Sequence, residues 1–162
     1  MKETQVLIAG AGPTRLVLAL ALTRQGIRVR IIDKTPGPGT TSRALVVHAR
    51  TLELYRMLGL AQEFQDRGLP FTEASYWIAG KWAGRLVLGD IGKDLSPFPY
   101  LLISPQDQHE RILIEHLSKA GVEVERQTEL VAFEGSPAPR HALVGLARSC
   151  GVSAKRRVRH PA

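Results

Sequence analysis

Apolar residues along this chain come in short runs separated by glycine and proline, and the spacing inside each run predicts its element. Residues 5–9 (QVLIA) are an apolar run ending in Gly10-Ala11-Gly12, the pattern of a buried parallel strand that enters a glycine turn. Pro13 suits the first turn of a helix, where its missing N–H costs nothing. Leu16, Val17, Leu20 and Ala21 then fall at helical spacing until Gly26 supplies a stop. Residues 27–33 (IRVRIID) alternate apolar and basic positions before becoming continuous, which predicts a second strand. Strand, helix and strand in this order form a right-handed βαβ unit. Residues 34–42 (KTPGPGTTS) read as a loop.

Helical spacing returns over residues 44–58, with Leu45, Leu52, Tyr55 and Leu58 on the buried face and Gly59 as the stop. A shorter helix is predicted over 61–67. Residues 73–79 and 86–88 are β-like, and residues 79–84 between them make a hairpin the economical reading. Residues 100–104 (YLLIS) predict another buried strand. Asp107 and Glu110 resemble a capping box that opens a helix over 108–119, which Gly121 ends. Residues 122–126 and 129–133 are further strands. The fold class is therefore α/β: a parallel sheet with helices on its faces and a β-hairpin excursion.

Composition narrows this. The 162 residues, 44% of them hydrophobic, suffice for one domain with a core and not for two full ones. A single cysteine excludes a disulfide framework and a Cys-based zinc site, which fits a reducing, cytoplasmic setting. The longest apolar run, residues 16–22, is far below the roughly 20 residues of a membrane helix, and the start has no cleavable signal pattern. A net charge of +7 raises nucleic acid as a partner. Residues 1–135, however, hold 16 Lys and Arg against all 15 acidic residues, a balance of +1. The remaining six basic residues lie in 136–162 with no acidic one, where average usage gives about three. That tail has no period of two and only a short helical patch at 142–147, so it is expected to be a basic, disordered segment beyond a boundary at 135. It lacks interleaved aromatics, so specific nucleic-acid recognition is not expected.

The chemistry concentrates in Gly10-Ala11-Gly12-Pro13-Thr14-Arg15, between the first strand and first helix, with Asp33 closing the second strand. The first glycine permits the tight turn, the second lets backbone approach a pyrophosphate, and the helix N-terminus favours its negative charge. Asp33, 23 residues after Gly10, is placed to accept hydrogen bonds from a ribose hydroxyl. A glycine turn without a ligand is the structural alternative. The fingerprint asks for a third glycine where this chain has Arg15. An arginine facing the sheet would be overpacked and desolvated, weakening nucleotide binding, so Arg15→Gly is expected to raise occupancy. An outward arginine would pair with a ligand phosphate instead.

These residues resemble the amino-terminal part of the FAD-dependent aromatic-ring monooxygenases, the family of para-hydroxybenzoate hydroxylase and the polyketide hydroxylases. The matching stretches are VLIAGAGPT at 6–14, IIDKTPGPGTTSRA at 31–44, ARTLELYRMLGL at 49–60 and SPQDQHERILIEHL at 104–117, within a match over about 5–133. The resemblance implies a partial, Rossmann-like FAD-binding domain. It places Gly10, Gly12, Pro13 and Thr14 at the diphosphate, Asp33 on the adenosine ribose, Arg43 toward the flavin and Gln106 on the ribityl chain. In the complete enzymes it implies that NAD(P)H reduces the flavin, oxygen adds to it, and a flavin hydroperoxide hydroxylates a small aromatic substrate. Arg43 as a solvated helix-start residue, Gln106 as a surface loop residue and Asp33 as a strand-end turn former are the bland alternatives.

The family's later Asp-Gly and Gly-Asp flavin motifs do not occur after Phe133. The chain is therefore expected to be an amino-terminal fragment, inactive alone, with 136–162 a shifted-frame tail or the basic extension of a natural short protein. No catalytic residue and no metal ligand is assigned. His109 and His116, seven apart, share a helix face without a short-spaced metal pair, and His48 reads as a helix-surface residue. Tyr76, Trp77 and Trp82 read as packing. Two other functions stay open: a nicotinamide-dependent dehydrogenase using the same turn, and a non-catalytic interaction protein.

Overall fold

The computed structural model describes residues 4–39, 45–133, 144–146 and 152–156. In chain order the elements are β1 (Val6–Ala9), α1 (Pro13–Arg24), β2 (Val29–Ile32), β3 (Val46–Val47), α2 (Ala49–Met57), α3 (Ala61–Arg67), β4 (Leu69–Phe71) and β5 (Glu73–Ile78). There follow β6 (Lys81–Val87), β7 (Leu101–Ile103), α4 (Gln106–Lys119), β8 (Val124–Glu125), β9 (Thr128–Phe133), β10 (Val144–Leu146) and β11 (Val152–Arg156). They form two compact units: Met1–Thr40 with Glu110–Ala162, and Thr41–His109.

The first unit contains the predicted βαβ. Strand β1 pairs parallel with β2 in the register Val6 to Val29 through Ala9 to Ile32, and β2 pairs parallel with β8. The apolar runs explain this: Val6, Ile8, Ile31 and Ile32 are buried, as the central strands of a parallel sheet require. Helix α1 turns Leu16, Ala19 and Leu20 inward, so Ala19 replaces the expected Val17 and Ala21 as the deepest small residue. Gly26, at φ +77°, supplies the left-handed stop foreseen for it. Helix α4 starts at Gln106, which moves Asp107 from the cap into the first turn, where its charge favours the helix dipole.

Two strands stand in the segment expected to lack structure. β10 pairs antiparallel with β1, and β11 pairs antiparallel with β9. An unpaired β1 edge would expose a row of N–H and C=O groups, and β10 satisfies it. The strand also replaces the helical patch expected at 142–147.

In the second unit, β7 lies between β3 and β4, antiparallel to both. The helix expected from residue 44 starts at Ala49 instead, because Val46 and Val47 pair with Ile103 and Leu102. Leu45 consequently lies 50% exposed, while Leu52, Tyr55 and Leu58 are buried as the spacing required. His48 is the exposed N-cap position of α2. The hairpin turn is also tighter than the sequence suggested: Ala79 and Gly80 alone make it, at φ +49° and +75°. Two positive φ values match the right-handed twist of the flanking strands. Trp77 and Trp82 face each other across the hairpin but are 65% and 62% exposed, so their reading as packed residues is corrected.

The core of this unit is an aromatic cluster. The Tyr55 and Phe64 rings lie 4.5 Å apart, and His109 sits edge-on to both. The Tyr55 hydroxyl shares a short hydrogen bond with His109 Nε2. Burial lowers the His109 pKa from 6.5 to about 4, because the apolar cluster penalises the imidazolium. The unfolded chain therefore binds the extra proton first as acid is added. Stability from the neutral imidazole is complete above pH 6.5 and falls through the interval down to about pH 4, by at most about 3 kcal/mol. Urea unfolding at several pH values should show this decline, and His109→Gln should flatten it.

Candidate functional site

The site is built where β1 ends. Gly10 takes φ +102°, a backbone region that only glycine enters without strain, and its N–H donates to the Ile32 carbonyl at 2.6 Å. This ties the turn to β2. Gly12 is the N-cap of α1 in extended conformation, with nothing within 4 Å of where its Cβ would stand. Pro13 is the first helical residue, and Thr14 is exposed beside it.

The N–H groups of this turn divide cleanly. Gly10 and Ala11 spend theirs on Ile32 and Asp33, Pro13 has none, and Arg15 and Leu16 both donate to the Gly12 carbonyl. Among the described residues, Gly12 and Thr14 keep theirs open. Both stand at the N-terminus of a 12-residue helix, where backbone polarity favours an anion.

Asp33 closes the other side. Its Oδ2 accepts from the Ala11 N–H at 2.6 Å, and its Oδ1 accepts from the Thr35 N–H and hydroxyl at 2.7 and 2.6 Å. A carboxylate has about four acceptor positions, so one remains at Oδ2. Arg126 Nη1 lies 3.9 Å from that oxygen, with both side chains largely buried. Burial alone would raise the Asp33 pKa, but the Thr35 and Ala11 hydrogen bonds and the Arg126 charge outweigh it and hold the carboxyl below its ordinary value. Asp33 is thus an anion at neutral pH. Arg126 Nη2 is buried without a hydrogen-bond partner among the described residues, which makes the Asp33 charge important to its own neighbour.

A cavity of about 370 Å³ opens over this arrangement, lined by Gly10, Arg15, Asp33, Lys34, Thr128 and Glu129 among others. Arg15 does not face the sheet. It is exposed, and its stem and guanidinium lie across Gly10, with Nη1 2.8 Å from where a Gly10 Cβ would stand. The expectation of an overpacked, desolvated arginine is therefore overturned. The helix turns Leu16 inward at 0% exposure and leaves its neighbour Arg15 on the outer side, folded over Gly10.

Of the residues singled out by sequence, Gly10, Gly12, Pro13, Thr14 and Asp33 come together here. Gln106 begins α4 in the second unit. Arg43 lies outside the described residues. Sequence reasoning missed Thr35 and Arg126. An Asp followed two residues later by a hydroxyl residue is a recognisable local motif, so Thr35 was findable. Arg126, 93 positions from Asp33, carries no such signal.

A glycine turn between strand and helix, with an ionised acid at the end of the next strand, defines a dinucleotide-binding α/β protein. The chain belongs to the FAD binding domain family, whose model matches residues 3–148. The matched span runs past the composition change at 135. Among characterised relatives, 6-methylpretetramide 4-monooxygenase of Streptomyces rimosus is 44% identical over 126 residues, covering 78% of this chain and 22% of that protein. Rifampicin monooxygenase of Rhodococcus hoagii is 35% identical over 130 residues, covering 80% and 26%. The fold matches the flavin-dependent monooxygenase PieE, solved with FAD and substrate, at a TM-score of 0.71 and 29% identity, over 80% of this chain and 24% of that one. It matches aklavinone-11 hydroxylase, solved with FAD and aklavinone, at 0.71 and 26%, over 85% and 28%. The chain spans about a quarter of the length of these relatives. No helix among the described residues is long and apolar enough to cross a membrane.

Proposed function

We propose that this chain holds the adenosine diphosphate half of FAD at residues 10–14 and 33, as the flavin-binding segment of an aromatic monooxygenase. The observation that carries this is one glycine turn with two open N–H groups, on Gly12 and Thr14, tied through the Ala11 N–H to the ionised, partly satisfied carboxylate of Asp33, which lines a cavity with Gly10. The residues fit the group. The N–H groups and helix end receive the diphosphate, the bare Gly12 lets it approach, and the open position at Asp33 Oδ2 receives a ribose hydroxyl. When bound, FAD supplies the redox and oxygen chemistry by which an aromatic ring is hydroxylated, with NAD(P)H as the reductant. The chain's own part is to bind and orient. Asp33 stays deprotonated throughout, anchored by Ala11 and Thr35, so the ribose is always offered an acceptor.

Calorimetric titration of the full chain tests it. FAD and ADP are expected to bind saturably and to compete with each other, while NADH binds more weakly than FAD. A chain that prefers NADH supports the dehydrogenase reading. One that binds none of the three supports the interaction protein.

A further inference from the structure

We infer that Arg15, at the position where the fingerprint has its third glycine, is a diphosphate ligand of this chain. The inference rests on the FAD reading above and adds a residue to it. Three observations converge. The guanidinium is exposed and, among the described residues, makes no hydrogen bond or ion pair, although it lies against the glycine turn rather than extending into solvent. The turn it covers is short of donors, with Gly12 and Thr14 alone open and Pro13 contributing nothing. The acid nearest the turn, Asp33, has a cation of its own in Arg126 and its turn-side oxygen bonded to Ala11, so it is not the counter-ion of Arg15.

A guanidinium held over Gly10, in the same turn as the open N–H groups, has the fork geometry that matches phosphate oxygens. Gly10 has no side chain, so the arginine stem can lie flat on the turn, and its charge is added where helix polarity already attracts an anion. With the side chain turned outward, α1 still packs on β1 and β2 through Leu16, Ala19 and Leu20. The arginine thus supplies a contact without disturbing the packing that the third glycine ordinarily protects.

The test compares the full-length parent with Arg15→Gln, Arg15→Lys and Arg15→Gly, titrated with FAD, ADP and adenosine at low and high salt. Arg15→Gln is expected to weaken FAD and ADP about 10- to 100-fold and leave adenosine unchanged, since a hydrogen bond to a charged group is lost. Arg15→Lys should recover part of the loss, and the salt dependence of the parent should flatten in Arg15→Gln. Because Arg15 is exposed, urea midpoints should stay level for Arg15→Gln and Arg15→Lys, while Arg15→Gly lowers its own slightly through poorer helix propensity. Equal or tighter ADP binding by Arg15→Gln or Arg15→Gly overturns the inference, as does equal weakening of adenosine and ADP. If Arg15→Gly binds FAD where the parent does not, the arginine is an obstacle and the FAD reading stands. If no form binds FAD or ADP, both fail.

Discussion

Asp33→Ala is expected to weaken FAD binding about 10- to 100-fold and to destabilise the fold by about 3 kcal/mol, the largest combined effect of any single change at the site. Two separate losses contribute. The carboxylate is the acceptor proposed for the ribose, and it also accepts from Ala11 and Thr35, so its removal frees the turn from β2 at its second attachment. The second loss is electrostatic: Arg126, 19% exposed, would keep a buried guanidinium with its neighbouring charge gone. Asp33→Asn removes the charge and, having one acceptor oxygen, keeps the bonds from Thr35 or from Ala11 but not both, so its loss should be smaller than that of Asp33→Ala. Calorimetry with FAD and urea unfolding should both respond to Asp33→Ala. An unchanged urea midpoint would show that Arg126 finds another partner.

Phe64→Ala is the second large effect, and it acts on the other unit. The ring is 0% exposed and lies 4.5 Å from Tyr55 and 4.7 Å from His109, centroid to centroid. Truncation leaves a cavity beneath both and should cost about 3–5 kcal/mol, a large share of the roughly 5–15 kcal/mol that holds a domain together. Loss of the enclosing ring also admits water to His109, so its pKa should climb back toward 6.5 and the acid-dependent decline in stability should shrink. Phe64→Leu keeps much of the volume and should cost under about 1.5 kcal/mol. Urea unfolding at pH 7 and pH 5 measures both the loss and its altered pH dependence.

The βαβ unit was legible because each of its signals is local. An apolar run, a glycine turn, Pro13 and Gly26 fix β1, α1 and β2 within a few residues, and the acid at 33 follows from the spacing. Leu45 shows where periodicity misleads: it falls at helical spacing with Leu52, yet the pairing of Val46 and Val47 with β7 takes the segment out of the helix. That pairing spans more than fifty residues and leaves no trace in a short window. The hairpin turn was placed too widely because Ala79, a non-glycine at φ +49°, does not advertise a left-handed position. The site was half legible. Gly10, Gly12 and Asp33 came from the motif, but the direction of Arg15 depends on which face of α1 is buried, and Arg126 reaches Asp33 only through the β8–β9 turn. The strands β10 and β11 were missed for a different reason: their partners are exposed edges of β1 and β9, a property of the assembled sheet.

Whether this turn holds FAD is read from the visible spectrum of the purified full chain, mixed with FAD and then separated from free flavin by gel filtration. Flavin absorbance is expected to co-elute with the protein near one equivalent, and excess ADP to displace it. Protein that elutes without flavin under saturating FAD would contradict FAD binding at this turn.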